Sequence, residues 1–407
     1  MDTTFVLTSV AVFSGLILLL VLGIIWASKS LAPSGTVKIN INEGTKIIET
    51  RPGQSLLSAL ANEKIFLPSA CGGGGTCAMC KCQVFEGGGD ILPTEKAHIN
   101  RRQEKDHVRL ACQVKVRGDM KIAVPEEIFS IKRYTGTVTS NENVATFIKA
   151  TNLDIDNGET LNFKAGGYIQ FEVPVGTYPA KNFHIEEKYR GDWDKFKMWD
   201  YSVTVDEPIF RAYSMANHPA EGNKLMTTIR YANPPPRTTG IPPGKCSSYI
   251  FSLKPGDKVT FSGPYGEFFI KDTKREMVYI GGGAGMAPMR SHLFHLFHTM
   301  KTDRKVSFFY GARSMKENFF MDDFVDIQKE FPNFKYTLAL SEPAPEDNWT
   351  GPVGFIHNVA LNEYLKNHED PTEIEYYMCG PPMMIDAVVN MLHSLGVEDE
   401  MIAFDKF

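Results

Sequence analysis

The sequence predicts a multidomain protein in which a β-rich module and an antiparallel β-barrel precede a parallel α/β domain. Short strand-like runs with turn residues between them fill residues 36–270. Strands and helices then alternate after Lys274, which is typical of a parallel sheet. The chain has 407 residues, too many for a single core. We expect four domains, at residues 1–30, 31–126, 127–272 and 273–407.

The first predicted domain is a transmembrane anchor. No charged side chain occurs in residues 3–28, whose apolar centre runs from Gly15 to Trp26, and about 20 apolar residues span a bilayer. A cleaved signal peptide is the alternative, but Asp2 stands where basic residues are expected and no small-x-small cleavage site follows. Lys29 and Lys38 follow the apolar stretch, so we expect one N-terminal membrane helix with the rest of the chain facing the cytoplasm.

A cysteine loop dominates the β-rich module. It reads Cys71-Gly-Gly-Gly-Gly-Thr-Cys77-Ala-Met-Cys80, and Cys112 follows in a distant strand-like segment. Four such thiols are the ligand set of a [2Fe–2S] cluster. Glycines let the backbone approach the cluster and direct N–H groups at its sulfur atoms. The sequence therefore predicts an iron–sulfur site with these four cysteines as ligands.

Other uses of the cysteines fit the sequence less well. Structural zinc sites usually pair two Cys-x-x-Cys hooks, whereas only Cys77 to Cys80 has that spacing here. A Rieske centre needs two histidine ligands, but Gln113 follows Cys112 and no Cys-x-His lies near the loop. Cys82 could replace a ligand, although a buried free thiol is the favoured interpretation. Free Cys82, Cys246 and Cys379 would indicate a reducing compartment, and the net charge of −5 argues against nucleic acid as a partner.

The secondary structure is predicted from apolar periodicity. We expect a helix at 55–61 and strands in the β-rich module, in the barrel and in the α/β domain, at 37–42, 108–114, 134–139, 168–173, 225–231, 258–261, 277–280, 306–310, 336–340 and 376–379. An aromatic, charged insertion at 176–207 interrupts the barrel. It is expected to be functional or to face a partner, with a solvated, partly disordered loop as the alternative.

A glycine-rich turn at 281–288 lies between a predicted strand and a helix that starts at Met289. Such a turn offers free N–H groups to a pyrophosphate. The motif is imperfect because Met286 replaces its third glycine, and a purely structural turn is the alternative. One helical face carries apolar residues expected in the core, namely Met289, Leu293, Leu296, Phe297 and Met300.

Two further motifs lie in the barrel. In Arg211-Ala-Tyr-Ser214, arginine can pair with a phosphate, tyrosine can stack on a flat ring and serine can hydrogen-bond the edge of the ring. The small, hydroxyl-rich run Gly244-Lys-Cys-Ser-Ser248 suits a second phosphate contact. A surface strand and a plain turn are the respective alternatives.

These motifs together resemble the ferredoxin–NADP reductase superfamily, through RAYS at 211–214, GKCSSYIFSLKPG at 244–256, GGGAGMAPMR at 281–290 and CGPPMM at 379–384. The resemblance implies FAD in the barrel, bound by Arg211, Tyr213, Ser214, Ser247 and Ser248. It implies a pyridine nucleotide at Gly281, Gly283, Gly285, Pro288 and Gly380. Cys379 would lie near the nicotinamide, where Ser214 and the terminal Phe407 also shape the hydride geometry.

Two positions depart from many relatives of that superfamily. Ala284 stands where they have threonine, and Glu342 stands where a basic residue would bind a 2′-phosphate. The resemblance therefore favours NADH over NADPH.

With the anchor, the cluster loop and the insertion included, the whole chain resembles the family of F subunits of the bacterial Na+-translocating NADH:quinone oxidoreductases. The resemblance implies a β-grasp ferredoxin module, the inner membrane as location and other membrane subunits as partners. Hydride from NADH would reach FAD, and single electrons would then pass to the [2Fe–2S] cluster and on to those subunits, because a flavin can accept two electrons and release them singly. The alternatives are a membrane-anchored NADH reductase component of an oxygenase system and a passive assembly protein with vestigial sites.

Overall fold

The structure is a computed structural model that describes residues 8, 10, 12–23, 35–69, 71–234 and 241–406. The chain divides into two compact units. One holds Gly73–Ile128 and the residues up to Leu67, and the other holds Pro68–Gly72 and the residues from Phe129 onward.

The first unit is built on a mixed sheet of the β-grasp type. Its strand order is β2-β1-β5-β3-β4, with β1 and β5 parallel and the other pairs antiparallel. The strands are β1 Val37–Ile41, β2 Lys46–Thr50, β3 Lys81–Glu86, β4 Val108–Leu110 and β5 Met120–Ala123. The helices are α1 Leu56–Asn62, α2 Pro93–Lys96 and α3 Arg101–Lys105. Ser55 caps α1 through its side chain, and α1 buries Leu56, Ala59 and Leu60.

The second unit begins with an antiparallel barrel, as the spacing of the predicted strands indicates. Its six strands follow the order β11-β8-β13-β6-β7-β12, and a bridge between Met215 and Thr227 connects the two ends. The elements of this region are β6 Lys132–Ala145, β7 Ile148–Ile155, β8 Tyr168–Val173, β9 Gly176–Pro179, α4 Glu187–Lys195, β10 Ser202–Val205, β11 Ile209–Ser214, β12 Lys224–Arg230, α5 Lys245–Ser252 and β13 Lys258–Tyr265. Strand β7 was not predicted, although its apolar residues alternate with polar ones as in a strand; the polar Lys149 and Thr151 are also buried.

The insertion at 176–207 is folded, so the alternative of a solvated, partly disordered loop is wrong. Strands β9 and β10 form a hairpin, and α4 packs into an aromatic cluster that includes Phe183, Tyr189, Trp193, Tyr231 and Phe251. The Trp193 side chain is fully buried, and its indole N–H donates to the Thr146 carbonyl at 2.8 Å. The insertion therefore shares a small aromatic core with Tyr231 and Phe251, which lie outside it.

The rest of the second unit is a parallel sheet covered by helices, which confirms the predicted α/β alternation. The strand order is β16-β15-β14-β17-β18, and every pair is parallel. The elements are β14 Met277–Gly282, α6 Met286–Phe294, β15 Val306–Ala312, α7 Met321–Glu330, β16 Phe334–Leu340, α8 Ile356–Glu363, β17 Glu375–Gly380, α9 Pro382–Ser394 and β18 Ile402–Lys406.

Helix α6 differs from the prediction at both ends. It starts at Met286 rather than Met289, because Pro288 is tolerated in a first helical turn. Four of the five predicted core residues are buried, but Met300 is 54% exposed. The backbone changes to a π turn at His295–Thr299, which moves Met300 off the apolar face.

The predicted transmembrane helix lies largely outside the described residues, which omit 1–7, 9, 11 and 24–34. Residues 12–23 are helical, and their apolar side chains, including Phe13, Leu16 and Leu19, are exposed. Within the described part of the chain, no helix has both the length and the apolar character needed to cross a membrane.

Candidate redox centres

Cys80 interacts with two of the other predicted cluster cysteines, Cys77 and Cys112. Cys80 precedes β3 and Cys112 follows β4, and both side chains are buried. A hydrogen bond with Cys112 and burial raise the pKa of the Cys80 thiol far above its ordinary value, and Cys77 acts in the same direction. Cys71, at the start of the loop, is half-buried.

Left-handed backbone angles allow the loop to fold tightly. Gly73 and Gly75 have φ values of +94° and +75°, which glycine adopts without strain. A Cβ added at Gly75 would lie 2.7 Å from Nε2 of Gln113. The glycines therefore let the loop approach the segment that carries Cys112.

Four thiols are the donor set of a [2Fe–2S] cluster, so the predicted ligands fit that group. Among the described residues, no three His, Cys, Asp or Glu side chains gather closely enough to hold one ion. A two-iron cluster needs two protein ligands on each iron, and the adjacent Cys80 and Cys112 thiols would suit one such pair.

A buried ion pair supports the Cys112 segment. Arg109 donates to both carboxylate oxygens of Glu95, at 2.9 and 2.7 Å, and Glu95 accepts from the Leu110 N–H at 3.0 Å. Burial alone would raise the pKa of Glu95, but these hydrogen bonds hold it below its ordinary value. Cys82 is a buried free thiol in the structure, and burial raises its pKa to about 12.

The predicted flavin residues on β11 are all half-buried. The Arg211 guanidinium donates to the Phe210 carbonyl at 2.8 Å, which leaves other N–H groups for an anion. Burial raises the pKa of the Tyr213 phenol well above its ordinary value, and the buried Cys246 thiol lies beside it. Tyr213 is therefore a neutral aromatic ring suited to stacking.

The two predicted serines lie in the first turn of α5, and both are buried. The Ser247 hydroxyl accepts from the Ala232 N–H and donates to the Gly244 carbonyl, both at 3.1 Å. Its side chain therefore holds the start of the helix in place. The free N–H groups of this helix turn, rather than the Ser247 hydroxyl, are available to a phosphate.

The glycine-rich turn connects β14 to α6 as predicted. Gly281 lies within β14, where a Cβ would contact Met289 and Phe308 at 3.4 Å, so it serves packing and the turn itself begins later. Gly283 has φ +57°, and a Cβ at Gly285 would lie 2.1 Å from the Cys379 carbonyl oxygen. The turn is thus pressed against the end of β17, with N–H groups at the N-terminus of α6.

One residue of this region, Asp405, was missed by the sequence analysis. It pairs with Cys379 across β17 and β18, and its carboxylate accepts from the Ser214 hydroxyl at 2.8 Å. Burial raises the pKa of Asp405, and burial together with Asp405 raises the pKa of Cys379 well above its ordinary value. Gly380 ends the strand with φ +155°, and Phe407 lies outside the described residues.

Glu342 lies two residues after the end of β16. It forms an exposed ion pair with Arg313 at 2.8 Å, and its N–H donates to the Arg313 carbonyl at 2.8 Å. Arg313 directly follows β15, which pairs with β16 in parallel. The carboxyl ends of parallel strands are where nucleotides bind in such folds.

Three family models match the chain in the predicted order. They are the 2Fe-2S iron-sulfur cluster binding domain at residues 39–117, the oxidoreductase FAD-binding domain at 196–270 and the oxidoreductase NAD-binding domain at 279–390. The F subunit of the Na(+)-translocating NADH-quinone reductase of Neisseria meningitidis is 54% identical over 402 residues, 99% of each chain. The chain belongs to the family of F subunits of the Na(+)-translocating NADH-quinone reductases. The F subunits of Idiomarina loihiensis, 56% identical over 98% of each chain, and Psychrobacter cryohalolentis, 54% identical over 100% of each chain, are further members of this family.

Solved structures of other reductases share the fold. The Amycolatopsis cytochrome P450 reductase GcoB has a TM-score of 0.64 at 23% identity, with 91% of this chain and 99% of that chain covered. The ferredoxin reductase in carbazole 1,9a-dioxygenase has a TM-score of 0.60 at 25% identity, with 92% and 98% covered. Their sequence identities to this chain are far lower than those of the F subunits.

Family membership confirms the predicted function and cofactors. The protein is the NADH-oxidising oxidoreductase component of the quinone reductase, and it uses FAD and a [2Fe–2S] cluster. Electrons pass from NADH to FAD and then to the cluster. The [2Fe–2S] cluster predicted from the cysteine spacing and the FAD implied by the superfamily resemblance are therefore confirmed, while the individual binding residues remain predictions.

Proposed function

We propose that NADH binds at the turn after β14 and that FAD binds along β11, so that the two rings meet beside Cys379. The observation that carries this proposal is the 2.8 Å hydrogen bond from Ser214 to Asp405. It connects β11, which carries the flavin motif, to β18, which pairs with β17 at Cys379. Hydride transfer requires donor and acceptor to be held in contact and in orientation.

Each of these residues would have a binding or orienting role. Arg211 would pair with a flavin phosphate, Tyr213 would stack on the isoalloxazine ring and Ser214 would hydrogen-bond its edge. The first turn of α5 would offer its free N–H groups, up to that of Ser247, to the same phosphates, and Ser248, whose N–H already donates to the Gly244 carbonyl, would contribute its hydroxyl. FAD, when bound, supplies the conversion of a two-electron donor into single-electron steps.

The nucleotide would be held by the backbone of the turn and by the strand ends. Gly283 and Gly285 shape the turn, Gly281 and Pro288 lie on either side of it in β14 and α6, and Gly380 permits close approach at the end of β17. Cys379 and Phe407 would border the nicotinamide. Arg313 and Glu342, which follow β15 and β16, would contact the adenosine. The Glu342 carboxylate would repel a 2′-phosphate and so favour NADH over NADPH.

The cluster ligands would be Cys71, Cys77, Cys80 and Cys112. We further propose that residues 1–30 anchor the chain in the bacterial inner membrane, with residues 31–126, 127–272 and 273–407 as cytoplasmic domains. The exposed apolar side chains of the helical residues 12–23 support this anchor, since an all-apolar helix is stable in lipid. The other subunits of the quinone reductase would then receive the electrons at the membrane.

The ligand assignment is tested by Cys77→Ala, with Cys82→Ala as the matched control in the same unit. We expect Cys77→Ala to lose cluster absorbance and iron while NADH still reduces its FAD, and Cys82→Ala to keep both. Equal cluster loss in the two variants would contradict the assignment. Arg211→Ala should release FAD without loss of iron, and an unchanged FAD content would refute its role.

A further inference from the structure

The Gln113 side chain, next to the cluster ligand Cys112, is held from three directions. Its Nε2 lies 3.4 Å from the Gly73 carbonyl oxygen and 3.4 Å from the Cys112 sulfur. Its Oε1 accepts from the Thr94 hydroxyl at 3.1 Å. Because the Gly73 carbonyl can only accept and the Thr94 hydroxyl donates, the amide has one orientation that satisfies its neighbours. That orientation directs an N–H group at the sulfur.

The cysteine loop leaves room for this amide. Gly75 has φ +75°, and a Cβ there would lie 2.7 Å from Nε2 and 2.9 Å from Cδ of Gln113. These distances are shorter than any that two such heavy atoms tolerate without displacement. The loop therefore packs its backbone, rather than a side chain, against the Gln113 amide.

The amide is not required to position the Cys112 backbone. Leu110 already donates its N–H to the buried carboxylate of Glu95 at 3.0 Å, and the Gln113 N–H donates to the Leu110 carbonyl at 2.8 Å. The backbone on both sides of Cys112 is thus fixed by other groups. The Gln113 side chain is therefore not needed to fix the backbone, and its amide can act on the Cys112 sulfur.

We propose that Gln113 positions the Cys112 thiolate and raises the reduction potential of the cluster by donating an N–H to that sulfur. Hydrogen bonds to cluster sulfurs are among the factors that set the potential. The reduced cluster carries one more negative charge than the oxidised one, so a donor stabilises the reduced form more. Thr94 would act through Gln113, because its hydroxyl holds the amide in the orientation that donates to the sulfur. This inference rests on the proposed ligation of the cluster by Cys112.

The test compares midpoint potentials of the full-length protein in detergent, measured by redox titration followed by electron paramagnetic resonance. Gln113→Leu removes the donor, and Gln113→Glu replaces it with an acceptor of the same shape. We expect both potentials to fall, with the larger fall in Gln113→Glu, and a smaller fall in Thr94→Val. Gln83→Leu is the control, because the Gln83 amide donates to the Asp106 carbonyl at 2.9 Å rather than to a sulfur, and its potential should be unchanged.

Wild-type potentials in both Gln113 variants would overturn the proposal, as would an equal fall in Gln83→Leu. If the Gln113 variants lose the cluster altogether, the midpoint potential of Thr94→Val becomes the test. A wild-type potential in that variant would overturn the proposal. A Cys112→Ala variant that kept the iron content and cluster absorbance of the wild type would instead refute the ligation by Cys112. The two failures are therefore distinguishable.

Discussion

The buried ion pair of Arg109 and Glu95 is expected to determine how firmly the Cys112 segment is held. The proposed perturbation is Arg109→Met, which keeps a long apolar stem but removes the guanidinium. Arg109 donates to Glu95 and also to the carbonyls of Gly88, Gly89 and Asp90, at 3.0, 2.7 and 3.0 Å. The variant would leave a carboxylate and three carbonyls without their main donor.

The expected cost follows from burial. The Glu95 side chain is fully buried and that of Arg109 is 9% exposed, so water cannot replace the lost contacts. Removal of one partner from a buried pair costs about 3–5 kcal/mol. In a local opening equilibrium this corresponds to roughly a 10²- to 4 × 10³-fold increase in the open population.

Amide hydrogen exchange measures that population directly. The Leu110 N–H, which donates to Glu95, should exchange roughly 10²- to 4 × 10³-fold faster in Arg109→Met. The control is Lys38→Met, which breaks an exposed pair with Glu49 at 3.7 Å and should change exchange little, since surface pairs contribute little. Leu110 protection equal to wild type in Arg109→Met would refute the reasoning.

Three further predictions concern the second unit. Glu342→Ser should raise the ratio of kcat/KM for NADPH to kcat/KM for NADH by about tenfold or more, because the change removes a repulsive charge and frees Arg313 to bind a 2′-phosphate. An unchanged ratio would count against an adenosine site at Glu342. Burial lowers the pKa of His292 from 6.5 to about 4, so the folded state binds fewer protons than the unfolded state between these two pH values. The contribution of His292 to the free energy of unfolding should therefore be constant above pH 6.5 and fall by up to about 3 kcal/mol as the pH approaches 4. The His292→Gln variant should lose that slope in a series of denaturant unfolding curves, and an identical slope would assign it to other groups. Trp193→Ala should destabilise the insertion by about 3–5 kcal/mol and speed proteolysis within 176–207, whereas wild-type protection would show that the aromatic cluster is not its core.

The elements with strong local patterns could be predicted from the sequence. The apolar run before Gly281 and the glycines after it determine both β14 and the turn, since few other conformations satisfy them. The cysteine spacing indicated the cluster because its ligand chemistry is local. In each case the main signal lies within a few consecutive residues, and only the fourth cysteine, Cys112, lies in a distant segment.

The remaining features depend on tertiary contacts that no local pattern shows. Asp405 lies in a short strand with charged neighbours, and only its pairing beside Cys379 reveals its position. Trp193 stands among charged residues, so its burial follows from partners such as Phe183 and Phe251. The direction of the Gln113 amide likewise depends on Thr94, which is distant in the sequence.

The central claim is that electrons from NADH enter at the flavin and leave through the iron–sulfur cluster. An anaerobic titration of the full-length protein with NADH, with iron, sulfide and FAD quantified per chain, tests it most directly. The account predicts that flavin absorbance falls and that the paramagnetic signal of a reduced [2Fe–2S] cluster grows in the same titration. Flavin that is fully reduced while no such signal develops, in protein shown to contain iron and sulfide, would contradict the account.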